Sequence, residues 1–210
     1  MARAKAPRRR PGDGGPEQRL IDAALKLAAS QGWRRTGLAA IATEAGLPLH
    51  EAYALHRSKQ AILRAFMHRI DSAVLAESER EAELGESARE RLFATLMRRF
   101  DALKPHRAAL RAILRDSIGD PAALSGLPAL KRSLTWMLEA SGIAVTGCRG
   151  RLLVNLNLAL YLSVLRVFLA DESEDLGTTM AALDRGLRRG EALCRWAAGS
   201  GPAKRAEAAP

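Results

Sequence analysis

Apolar residues recur at helical spacing along nearly the whole chain, interrupted at intervals by glycine or proline. Glu17 to Gln31 sets Leu20, Ile21, Ala24, Leu25, Leu27 and Ala28 on one face, and Gly32 ends it. Trp33 follows, placed to plug the junction with the next helix. Ser58 caps a longer helix to about Glu83, with Ile62, Leu63, Phe66, Ile70 and Val74 inward. Gly85 breaks the pattern, and Ser87 with Glu90 three residues on forms a capping box that restarts it. Helices then follow over Ala88–Leu103, from Pro105 to about Ile118, over Leu127–Ala140, over Arg151–Ala170 and over Leu176–Ala198.

The densest punctuation lies in Thr36 to Lys59, TGLAAIATEAGLPLHEAYALHRSK. Thr36 offers a hydroxyl for an N-cap, and Leu38, Ile41 and Ala42 repeat at helical spacing behind it. Gly46 supplies the left-handed backbone that ends this short helix, and Pro48 suits the first turn of another. Two short helices joined through such a turn form a helix-turn-helix, the unit that lays its second helix in a DNA groove.

Composition supports the all-α reading: hydrophobic residues make up 48% and aromatics only 4% of the 210 residues. Ala, Leu and Arg are the best helix formers, whereas strands favour β-branched and aromatic residues. The formal charge of +10 is unevenly spread. Residues 1–70 hold 13 Lys/Arg and 5 Asp/Glu, a balance of 13 − 5 = +8, which leaves +2 for the rest. A basic third beside a near-neutral remainder points to a polyanionic partner at the N-terminal end. Residues 1–15 read as a disordered basic arm carrying Arg8, Arg9 and Arg10, able to reach along phosphates or into a minor groove. The tail 201–210 reads as disordered too.

Cys148 and Cys194 stand far apart without metal spacing, as in a reduced cytosolic protein. The basic N-terminus lacks the apolar core of a secretion signal. Leu152–Ala170 is long enough to span a bilayer, yet Asn155, Asn157 and Arg166 make that costly. A cytoplasmic location is the expectation. His50, His56, His68 and His106 lack metal-ligand spacing, and no Gly-rich phosphate loop occurs, so neither an enzyme nor a bound metal or cofactor is expected.

RLIDAALKLAASQGW, Thr36-Gly37-Leu38 with Ile41-Ala42, Ala45-Gly46-Leu47, Tyr53, and Ser58-Lys59 before an aliphatic run together resemble the DNA-binding domain of the TetR family of bacterial repressors. The resemblance implies a head over 16–70 with its motif at 37–56, and a helical ligand-binding and dimerisation domain over 71–200. It also implies a homodimer on a near-palindromic duplex, released by a small apolar ligand. Recognition then falls on Thr36, Leu49, His50, Tyr53, His56, Arg57 and Lys59 together with the arm. The chain departs from the family pattern where Glu51 replaces a hydroxyl and Ala54 and Leu55 replace polar groups. That erosion, with RFDALKPHRAALRAILRD, is similar to the TetR-fold lipid-binding proteins of ubiquinone biosynthesis. On that alternative the partners are lipid and an acidic membrane surface rather than DNA.

Phe100, Leu103, Leu114, Trp136, Asn157, Tyr161 and Phe168 are candidates to line an apolar ligand cavity, with ordinary core packing the alternative for each. Asn155 and Asn157 lie about 200° apart on a helix and cannot share one pocket. The last two helices carry continuous apolar faces, which makes Leu160, Val164, Val167, Leu183, Leu187 and Leu193 the candidates for an isologous seam.

Overall fold

The computed structural model describes residues 14–80, 87–120 and 125–199, with side chains described to Ala192. The basic arm with Arg8, Arg9 and Arg10, the break at Gly85, the side chain of Leu193 and the C-terminal tail lie outside these residues. Among the described residues the fold is all-α, as expected. The helices are α1 Pro16–Gln31, α2 Leu38–Glu44, α3 Leu49–Leu55, α4 Lys59–Arg80, α5 Ala88–Leu103, α6 Arg107–Ser117, α7 Leu127–Ala140, α8 Gly147–Ala170 and α9 Gly177–Gly199. A single 3-10 turn at Lys104–His106 carries Pro105 between α5 and α6.

The chain divides into two compact units. The first joins the residues up to Arg69 with His106–Gly126, and the second joins Ile70–Pro105 with the residues from Leu127 on. Sequence placed 106–126 in the second domain, but α6 packs along α1. Its Ala109, Leu110, Ala112 and Ile113 are buried, and His106 meets Phe66 edge-on at 5.0 Å. Arg34 adds a polar clasp: its backbone N–H donates to Asp116 Oδ2 at 3.2 Å, and its guanidinium donates to the carbonyls of Asp116 and Ile118. The Arg34 N–H first, and then the Arg115 side chain, hold the Asp116 carboxyl below its ordinary pKa.

In the second unit, Ser87 and Glu90 form the expected capping box of α5. The same helix carries Arg99, only 1% exposed, into the core, where its guanidinium pairs with Asp71 and donates to Ser133 Oγ and Tyr161 Oη. Helix α8 begins at Gly147, four residues before the predicted start at Arg151. Gly150, which reads locally as a helix breaker, has a packing role: a Cβ on it would lie 1.9 Å from the Val145 carbonyl carbon. Gly186 likewise brings α9 against α8, since a Cβ there would strike Leu160 Cδ1 at 2.1 Å.

Asp171 braces the entry to α9. Its carboxylate accepts from the backbone N–H groups of Ser173 and Thr179 and from both hydroxyls. Burial pushes this carboxyl up, but the donated hydrogen bonds outweigh it and hold the pKa well below the carboxylate range. Asp171→Asn is expected to cost about 2 kcal/mol near neutral pH, read by urea unfolding. The native state binds this proton more weakly than the unfolded chain. The contribution is therefore complete above roughly pH 4 and is lost as pH falls toward the native value, so the deficit of the variant should narrow in acid.

Candidate nucleic-acid interface

Helices α2 and α3 meet at a turn whose geometry follows directly from Ala45-Gly46-Leu47. Gly46 sits at φ +64°, where a side chain would be strained. The Leu47 N–H reaches back to the Ala42 carbonyl at 2.9 Å and the Gly46 N–H to Thr43 at 3.1 Å. Those two bonds make a Schellman motif, which closes α2 and turns the chain sharply into α3. Buried Ile41, Ala42, Ala45 and Leu47 fix the corner from within.

A single residue of α3, Ala52, is fully buried and anchors the helix to the head. Its small side chain lets α3 sit close while its other residues stand outward. Leu49 is 52% exposed and Tyr53 54% exposed, one turn apart on the same face. His50, Glu51 and Ala54 are exposed as well, and Leu55 is 40% exposed. Leu38 and Ala39 of α2 join Leu49, His50 and Tyr53 around a shallow, open apolar depression. Exposed Arg35 and Arg57 stand in the segments that lead into α2 and out of α3.

Residues 20–66, which include all of this geometry, match the family model described as bacterial regulatory proteins, tetR family. The head thus resembles the helix-turn-helix domain of that family.

Solved structures extend the likeness beyond the TetR-like head. A TetR transcriptional regulator from Nitrosomonas europaea shares 26% identity, with a TM-score of 0.69 over 84% of this chain and 98% of that one. A TetR transcriptional regulator from Rhodococcus sp. RHA1 shares 18%, with a TM-score of 0.61 over 82% and 93%. Thermus thermophilus FadR, a TetR-family repressor in complex with lauroyl-CoA, shares 18%, with a TM-score of 0.57 over 82% and 91%. At 18% identity these last two speak to fold alone. No curated protein matches the chain significantly.

Within the TetR-like head, the predicted contact residues separate into two sets. Leu49, His50, Tyr53 and Arg57 face solvent. Thr36, His56 and Lys59 are corrections. Thr36 is 1% exposed, its hydroxyl donates to the Gly32 carbonyl at 2.8 Å, and Gly37 rather than Thr36 is the N-cap of α2. His56 turns back toward α1, with Nε2 3.0 Å from Glu17 Oε1. Lys59 Nζ donates to the Trp33 carbonyl at 2.6 Å and lies 4.9 Å from the centre of the Trp33 ring. Burial lowers the Lys59 pKa, opposed by Asp120 and Asp116. All three serve the head's own cohesion, while Trp33 takes its predicted place as a buried plug. Leu38 and Ala39 were missed as surface candidates: the helical period that marks Ile41 as inward also puts Ala39 on another side.

The second unit sorts its candidates in the same way. Phe100 stacks on Tyr161 at 5.4 Å and meets Phe168 at a tilt at 5.1 Å, and Leu103 is 1% exposed. Trp136 is half-buried, and Leu114 belongs to the first unit with 39% of its surface exposed. Asn157 is buried while Asn155 is exposed, the opposite orientations their spacing requires. Asn157 Nδ2 donates to the Leu134 carbonyl at 3.4 Å, and its Oδ1 is buried without a hydrogen-bond partner. Of the seam candidates, Val164, Leu183 and Leu187 are buried inside the unit, and Leu160 packs against Gly186. Their apolar faces hold α8 to α9 in one chain. Val167 is half-buried, and among the described residues of the pair the large exposed apolar side chains are Leu152 and Met180.

Proposed function

We propose that the chain is a transcriptional regulator that binds duplex DNA as a homodimer, represses, and is released by a small apolar ligand. The observation that carries the reading is the outward stance of α3: Ala52 is buried while Leu49, His50 and Tyr53 stand free in a basic head. A helix so held can enter a major groove about 12 Å wide, with exposed Arg35 and Arg57 available for phosphate. The solved structures of similar fold are described as transcriptional regulators, which favours this reading over the lipid-binding one.

Two copies are required because one short helix reads too few base pairs for a unique site. The outward sides of α8 and α9, with Leu152 and Met180, are the surfaces available for the twin subunit. For the ligand, the buried Oδ1 of Asn157 is an acceptor that a donor group on an otherwise apolar molecule would satisfy. A long-chain acyl thioester is the first molecule to try, since the T. thermophilus relative holds lauroyl-CoA.

Selection of duplexes from a random pool tests the reading. The expected product is an inverted repeat whose half-sites lie one helical turn or a multiple apart. Tyr53→Ala should weaken binding of that product by about fourfold or more, in line with loss of one apolar contact in the groove. A pool that stays random after repeated rounds refutes the regulator.

A further inference from the structure

The interface holds no arginine or lysine between Leu49 and Leu55, so α3 itself cannot make the bidentate contact to guanine that dominates direct readout. What it presents instead is hydrocarbon. Leu49 and Tyr53 lie one turn apart, and with Leu38, Ala39 and His50 they surround a shallow apolar depression. Apolar surface on the outward side of this helix gains from contact with an apolar group of a partner. The positive charge of the N-terminal third, with exposed Arg35 and Arg57 in the segments that flank α2 and α3, favours a polyanion.

One apolar feature exists in the major groove: the C5-methyl group of thymine. We infer that this patch reads thymine methyls, so that each half-site is specified by hydrocarbon contact from Leu49 and Tyr53 rather than by charged hydrogen bonding to guanine. This deepens the regulator reading and rests on it. Glu51, exposed on the same short helix, excludes phosphate and accepts well from the cytosine N4 amino group. The half-site is therefore built of T·A pairs under the patch, with a C·G pair where the carboxylate falls. Phosphate contacts contribute affinity uniformly and leave this choice untouched.

Deoxyuridine scanning tests the inference, because uracil keeps every hydrogen-bonding group of thymine and lacks only the methyl. In the selected duplex, each thymine is replaced in turn and affinity is measured by fluorescence anisotropy. The expected result is about a fourfold loss at each contacted thymine, the worth of one buried methyl-sized group. Leu49→Ala and Tyr53→Ala, both at exposed positions, should each erase the methyl dependence at one position per half-site while non-specific binding at low salt persists. Equal affinity for the thymine and uracil duplexes at every position overturns the inference but leaves the regulator intact. Methyl dependence that survives in both alanine variants also overturns it, since the methyls are then read elsewhere. Failure to bind any duplex removes both readings together.

Discussion

Replacing Arg99 by methionine is expected to lower the unfolding free energy by about 3–5 kcal/mol, the cost of leaving one partner of a buried ion pair behind. Arg99 is 1% exposed and Asp71 is mostly buried beside it, so water cannot replace the lost guanidinium. Ser133 Oγ and Tyr161 Oη lose a donor at the same time. Methionine is close in length and fills the channel, which keeps the deficit electrostatic rather than a cavity effect. The companion variant, Arg99→Met with Asp71→Leu, removes both charges and should recover most of the loss, because two well-packed apolar side chains stabilise about as well as a buried pair. Urea unfolding of the three proteins reads the difference as a shift in midpoint at constant slope. A single variant within about 1 kcal/mol of the parent would mean that the network contributes little to stability, as surface pairs do.

The elements of the fold were legible wherever the deciding residues are neighbours in sequence. Gly46 and Leu47 close α2 through bonds to Thr43 and Ala42, and Ser87 with Glu90 opens α5, so a few adjacent residues hold the whole cause. The start of α8 was not, because Gly147 and Gly150 signal a loop locally and the need for glycine comes from the backbone of Val145 against Gly150.

Side-chain direction was the harder part. Lys59 and His56 follow α3 closely and look like phosphate and base contacts, but Lys59 is claimed by the Trp33 carbonyl and His56 faces Glu17, partners far back in the chain. Nothing in the local pattern announces those partners. Leu49 and Tyr53, named through the family resemblance, do stand outward, with Ala52 taking the buried position of their helix. The seam candidates divide for a similar reason: a continuous apolar stripe on α8 and α9 serves contact within one chain as readily as between two, and Val164, Leu183 and Leu187 are buried within the chain itself. Arg99 was invisible as well, an arginine in an amphipathic helix whose acidic partner sits on another element.

The central claim is that the outward α3 lies in the groove of a duplex. Its most direct test is the salt dependence of affinity for the selected duplex against a scrambled one of the same composition. A dimer neutralising about 6–10 phosphates should lose roughly 10³–10⁵ in affinity between 50 and 200 mM salt on either duplex. The selected duplex should nonetheless stay about 10³-fold tighter or more throughout, since base contacts release few counterions. Affinity that is indifferent to salt, or equal for the two duplexes at every salt concentration, would contradict the claim.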